Sequence, residues 1–289
     1  MIGNRPNPDS GKKSVLFVLF GVFLLVVGCG DDDDAGAGNG EKNQSPTRAV
    51  VVNGISSSMA VVEFSVPPQV INNFDGIGLG PSANRVVVRG QEAYVVNSGT
   101  FGAAENASVQ VVDMTLSAPV RTIPLPDGLS PWDIVLVSSD KAYVTNLYGD
   151  SVTIVDPRGD GTSAIIGTID LPAGSSPAGI TVDGNRAYIA NTALDPLTYG
   201  YGPATVSVID TTTDTVVDTI SISGVNPQDL EVDAEGSLWV VCTGDWFSTY
   251  GVVDVVDTVT LSETDSLPIG NSFPGSIALG NRVALVGDG

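Results

Sequence analysis

A five-residue phrase returns along the chain at near-constant spacing: Ala93-Tyr94-Val95-Val96-Asn97, Ala142-Tyr143-Val144-Thr145-Asn146 and Ala187-Tyr188-Ile189-Ala190-Asn191. A fourth copy, Leu238-Trp239-Val240-Val241-Cys242, keeps the pattern and loses the asparagine; weaker copies end at Asn53 and Gly287. Each strong copy follows a proline-led segment. Pro81, Pro131, Pro177, Pro227 and Pro274 are separated by 50, 46, 50 and 47 residues. A period of roughly 40 to 50 residues built from short strands predicts a radial array of small sheets, a β-propeller.

Inside one period, apolar and polar residues alternate with period two, as in half-buried strands. In the unit opened by Pro131, strand a is expected at 134–137, b at 142–146, c at 151–156 and d at 164–171. The third element returns at 58–63, 108–113, 205–210 and 252–257. Val, Ile, Thr and Tyr dominate, and no amphipathic helix of useful length is visible. The expected fold is therefore all-β: four-stranded antiparallel blades, about five to six of them within residues 48–289. The chain opens and closes on a strand b, which suggests C-terminal truncation of a propeller of six or seven blades.

The N-terminus reads separately. Arg5, Lys12 and Lys13 precede the apolar run 15–27, too short for a membrane span of roughly 18 to 20 residues. The run ends in Val26-Val27-Gly28-Cys29, which resembles the lipobox of bacterial lipoproteins. Residues 1–28 are thus expected to be a lipoprotein signal peptide, with Cys29 carrying the lipid that holds the chain on the membrane. Residues 29–47, with Asp31 to Asp34 among Gly, Asn, Gln and Ser, read as an acidic disordered tether rather than a calcium loop, whose ligands are spaced. Gly30 lacks the aspartate associated with inner-membrane retention in some bacteria. That favours the outer membrane of the cell envelope, on the periplasmic or outer surface.

Composition then excludes chemistry. Cleavage before Cys29 removes Arg5, Lys12, Lys13 and Asp9, taking the net charge from −21 to −23. Such a chain repels phosphate backbones, so no nucleic-acid role is expected. There is no histidine. Ser-His-Asp and Cys-His catalysis, histidine-ligated haem or copper, and most zinc sites go with it. With Cys29 lipidated, Cys242 has no disulfide partner and reads as a buried, inert thiol.

Alternating "AYVxN" and "SVxVxD" strands resemble the YVTN family of β-propeller repeats, found in surface-layer and periplasmic proteins. The resemblance spans 48–289 and implies the fold. The family is functionally mixed, and the haem-ligating residues of members joined to redox enzymes are absent from this sequence.

Strands alternate in direction, so the b–c loops and d–a connections share one end of the propeller. Three b–c loops there are long: 98–107, 192–204 and 243–251. Aromatic residues gather on these connections, and Tyr199, Tyr201, Trp246, Phe247, Tyr250 and Trp132 are the candidate partner-binding residues. The alternative is that these rings fold back to plug the mouth. The strand-b aromatics are expected to pack between blades, the repeated asparagine to satisfy backbone groups of the following turn, and the acid closing each strand c to cap a turn. Asp133 and Asp229 begin innermost strands near the channel, in places held by Ala83, Gly179 and Ser276 in other units. They are candidate ligands for a shared metal such as Ca²⁺. Two functions follow: a non-enzymatic, lipid-anchored binding protein for a protein or glycan partner, or a metal-dependent, lactonase-like hydrolase using Asp133, Asp229 and Asn191.

Overall fold

The computed structural model describes residues 48–280 and 283–288; the segments expected to be a leader and a tether, with Cys29, lie outside the described residues. The first sheet joins β1 (Arg48–Asn53), β2 (Ser58–Glu63) and β3 (Gln69–Ile71). Four antiparallel four-stranded sheets follow. They are β4 (Ala83–Arg89), β5 (Glu92–Asn97), β6 (Ser108–Asp113) and β7 (Ala118–Pro124); then β8 (Pro131–Leu136), β9 (Ala142–Asn146), β10 (Ser151–Val155) and β11 (Ile165–Asp170). The third is β12 (Pro177–Asp183), β13 (Arg186–Asn191), β14 (Thr205–Asp210) and β15 (Thr215–Ser221). The fourth is β16 (Pro227–Val232), β17 (Ser237–Cys242), β18 (Val252–Asp257) and β19 (Ser262–Pro268). A pair, β20 (Pro274–Gly280) and β21 (Val283–Asp288), comes last. Innermost strands β4, β8, β12, β16 and β20 neighbour one another in turn. The chain is an all-β propeller with blades of four antiparallel strands.

Burial follows strand position. β9 and β10 are buried along their whole length, whereas the outermost β11 alternates with solvent. A strand covered on both faces reads as a continuous apolar run, and an outer strand alternates. Strand-b aromatics fill the seams between blades. Tyr94 packs with Ile134, Ala142 and Val144 of the next blade, Tyr143 with Ile180 and Ile189, and Tyr188 with Leu230 and Val240. The polar tips find acids: the Tyr94 hydroxyl donates to Glu92 (2.6 Å), Tyr143 to Asp214, and the Trp239 indole N–H to Asp233 (2.8 Å). Burial and the Glu92 carboxylate push the Tyr94 phenol up to about 12.

The acids ending the c strands cap turns. Asp113 accepts from the amides of Thr115 and Leu116, Asp210 from Thr212, and Asp257 from Val259 and Thr260. Glu63 instead pairs with Arg48 at 3.0 Å. The repeated asparagine departs from expectation. Its Nδ2 donates to side chains of the adjacent strand, not to turn backbone: Asn97 to Ser108 (3.1 Å), Asn146 to Ser151 (3.0 Å) and Thr153 (2.9 Å), Asn191 to Thr205 (3.0 Å) and Ser207 (2.8 Å). The reason is register: each Asn lies directly across from the first residue of strand c, so hydroxyls are nearer than any turn amide. In β17, Cys242 takes the asparagine's place and its Sγ lies 3.5 Å from Asp254. The thiol is buried, and burial with the Asp254 charge pushes it well up.

Candidate functional site: a filled channel beneath an aromatic face

Asp133 and Asp229 do meet, and what they meet on is Arg85. The guanidinium binds Asp133 through two bonds, Nε to Oδ1 and an Nη to Oδ2, each 3.0 Å, and reaches Asp229 Oδ1 at 2.9 Å. All three are buried. Burial alone would lower the Arg85 guanidinium, but the charges of Asp133 and Asp229 outweigh it and hold it above its ordinary value. Burial raises the Asp229 carboxyl against the pull of Arg85.

Strand pairing explains why Arg85 is there. It lies across from Val96 as Asp229 lies across from Val241, so Arg85, not Ala83, occupies the place of the two aspartates. Ala83 faces Asn97 as Pro131 faces Asn146: it stands in the proline's position, and Pro81 precedes the strand. Sequence reasoning anchored on Pro81 and was two residues out. Each aspartate also binds two inner strands. Asp133 accepts from Ile134 (2.7 Å) and from Ile180 of the next blade (3.2 Å); Asp229 accepts from Leu230 (3.0 Å) and from Ile277 (3.1 Å). At the equivalent place in β12 only glycine fits, since a Cβ on Gly179 would come within 2.7 Å of the Gln228 carbonyl oxygen. Among the described residues, no cluster of three or more carboxylate or thiol groups could hold a metal ion.

The loop end differs. Loop 192–204 folds as a small hairpin: Leu194 bridges Tyr201, the Asp195 amide donates to the Gly200 carbonyl, and Tyr199 takes a positive φ of 56°. Asp195 braces it by accepting from the Leu197 amide and the Thr198 hydroxyl. Loop 243–251 repeats the device. Asp245 accepts from the amides of Phe247, Ser248 and Thr249, and these bonds hold its carboxyl far below the usual range. With the backbone satisfied inside the loop, the rings are turned out. Tyr199 is 74% exposed, Phe247 88% and Trp246 47%.

These rings form one surface. Trp246 and Tyr250 each stand 5.6 Å from Phe273, tilted by 31° and 36°. Burial raises the Tyr201 phenol, and the neighbouring Trp246 side chain and Asp245 charge act on it in opposite senses. Tyr148, on the tight loop 147–150, is close enough to Tyr199 and Tyr201 for the phenols to influence one another. The surface therefore crosses the blades of β8–β11, β12–β15 and β16–β19 and ends at Phe273 before β20. Trp132 lies apart in type: half-buried at the start of innermost β8, its carbonyl accepts from Asn84 at 2.7 Å. Tyr148 and Phe273 were not among the predicted site residues, although both stand on the connections that carry the others.

No family model matches the chain, and no curated protein is detectably similar to it in sequence. Solved structures are similar in fold. Streptogramin B lyase aligns with a TM-score of 0.62 and 15% identity, over 83% of this chain and 72% of the other. Hydrazine synthase of Kuenenia stuttgartiensis gives 0.52 and 20%, over 66% and 49%. Dihydro-heme d1 dehydrogenase NirN, in complex with DHE, gives 0.53 and 13%, over 78% and 45%. The chain spans about half the length of the hydrazine synthase chain it matches. Identities this low speak to fold alone, and the fold shared with these structures is the β-propeller.

Proposed function

We propose that the chain is a lipid-anchored, YVTN-type propeller of the bacterial cell envelope that binds a protein or glycan partner through its aromatic loop face and carries out no chemistry of its own. The observation that carries this reading is the contrast between the two regions. At the mouth, long loops spend their polar groups on themselves and leave Tyr199, Phe247 and Trp246 turned to solvent. Rigid aromatic side chains offer large contact area at small entropic cost. In the channel, the inward carboxylates are already bonded to Arg85 and to backbone amides, and Asn191 turns into its own sheet, which weighs against a lactonase-like hydrolase.

The anchor rests on the lipobox resemblance and is tested by itself: wild-type protein takes up labelled palmitate and sediments with membranes, and Cys29→Ser does neither. A Cys29→Ser chain of unchanged size still held on membranes contradicts it. The face is tested by Tyr199→Ala with Phe247→Ala, which is expected to weaken partner capture at least tenfold, on the scale of a central interface contact, while leaving the thermal midpoint near wild type. A large fall in the midpoint would make the rings plugs of the propeller mouth.

A further inference from the structure

The kind of charge that surrounds the aromatic end of this propeller says what that face receives. The described connections at the loop end carry Asp75, Glu105, Asp127, Asp150, Asp195 and Asp245, and no Lys or Arg. None of these acids takes part in an ion pair among the described residues. The described basic side chains lie toward the other end or in the channel. Arg48, Arg121, Lys141 and Arg158 pair with Glu63, Glu92, Asp214 and Asp156 there, and Arg186 donates to the Thr258 carbonyl at 2.8 Å. Arg89 donates to the carbonyls of Ser138 (2.6 Å) and Leu136 (3.1 Å), and Arg85 is enclosed between its two aspartates. The opposite end also holds acids outside these ion pairs, among them Asp183, Asp233, Glu235 and Asp257, but there they are mixed with basic side chains, whereas the aromatic rings stand among acids alone.

We propose that the aromatic face docks a lysine- and arginine-rich segment of a partner protein, whose cationic groups lie over the rings of Tyr199, Tyr201 and Trp246. This rests on the binding function proposed above and narrows it. A cation is drawn to the face of Trp or Tyr, and nearby carboxylates add to the attraction. Asp245 is placed to do so: its charge is felt at Tyr201, and three backbone amides fix it beside the rings. Asp195 is fixed likewise in the loop that presents Tyr199. An anionic ligand is repelled by the same groups, and a neutral glycan would draw nothing from this arrangement of charge.

The test is a titration of the full chain in detergent with three defined probes: a short synthetic peptide rich in lysine and arginine, a glutamate-rich peptide of the same length, and a neutral glucan oligosaccharide. The cationic peptide alone is expected to bind, and more weakly as salt rises. Tyr199→Leu with Trp246→Leu keeps apolar bulk and net charge but removes two ring faces, and is expected to weaken binding about tenfold. Thermal midpoints of the variants establish that they are folded; should the pair not fold, Tyr199→Leu alone is the variant, with a severalfold loss expected. Undiminished binding of the cationic peptide by these variants overturns the proposal, because general attraction to a chain of net charge −21 then accounts for it. Binding of the oligosaccharide in its place, lost in the same variants, also overturns it, yet leaves the aromatic face as a binding site. Binding of no probe overturns it too.

Discussion

Replacing Arg85 with methionine tests the physical account of the channel. The side chain is 5% exposed, and its two acidic partners are 6% and 10% exposed. Arg85→Met therefore leaves two carboxylates buried, close together and without their counter-charge. Breaking a buried pair in this way costs about 3–5 kcal/mol, a large part of the roughly 5–15 kcal/mol that holds a domain folded. For a domain of this size, each kcal/mol moves the thermal midpoint by about 2–4 °C, so a fall of roughly 6–20 °C is expected. The loss depends on pH, and its sign follows from Asp229. Burial and the Asp133 charge already raise that carboxyl, and Arg85 opposes them. Removing Arg85 raises it further, so the folded variant takes up a proton at a pH where the unfolded chain does not. Stability is regained as pH falls through that raised value, and the deficit against wild type shrinks as the pH is taken from neutral toward the ordinary carboxylate range. Arg85→Lys, which keeps the charge without the two-pronged fork, is expected to fall between the two. Urea denaturation across that pH range reads all three proteins. A loss below about 1 kcal/mol, or a deficit that does not change with pH, would refute the buried triad.

Four further outcomes are expected. Gly179→Ala brings a Cβ within 2.7 Å of the Gln228 carbonyl oxygen and 2.9 Å of Asp229 Cα, and should lower the urea midpoint by an amount equal to about 1–3 kcal/mol. Asn146→Ala removes the bonds to Ser151 and Thr153 and should cost about 1–2 kcal/mol by chemical denaturation. Cys242 should resist iodoacetamide in the folded protein and react once it is unfolded, because the thiol is buried beside Asp254; rapid native labelling would contradict that. Phe247→Ala should leave stability within about 0.5 kcal/mol of wild type, as befits a ring in solvent.

What the sequence made legible was what depends on local pattern. Period-two alternation marks strands, and the spacing of the Tyr and Trp phrases marks blades; both come from burial, which acts residue by residue. Arg85 was hidden because proline was used as the anchor. A proline reports a preferred φ, not a hydrogen-bonding register, and in β4 the strand begins two residues after Pro81 with Ala83 in the proline's usual place. The signal was nonetheless present: an arginine beside Val86-Val87-Val88 in an innermost strand needs buried acids, and Asp133 and Asp229 were the two that shared its place. The partners of Asn97, Asn146 and Asn191 were hidden for a related reason, since they lie across a hairpin whose pairing must be known first. The aromatic face was legible through loop length. Tyr148 lies on the same end but not among the candidate residues, and its nearness to Tyr199 is set by how adjacent blades pack, which the sequence does not show.

The central claim is that the aromatic end, not the channel or the opposite end, is where this protein works. A photo-crosslinking amino acid placed at Phe247, in the full chain and in the cells that produce it, tests this directly against the same group placed at Val259. Both positions lie in solvent, at 88% and 86% exposure, and Val259 sits on the c–d turn at the other end. Irradiation is expected to give a discrete adduct with a partner from Phe247, weakened by Tyr199→Ala, and none from Val259. An adduct from Val259 alone, equal adducts from both, or none from Phe247 would contradict the account.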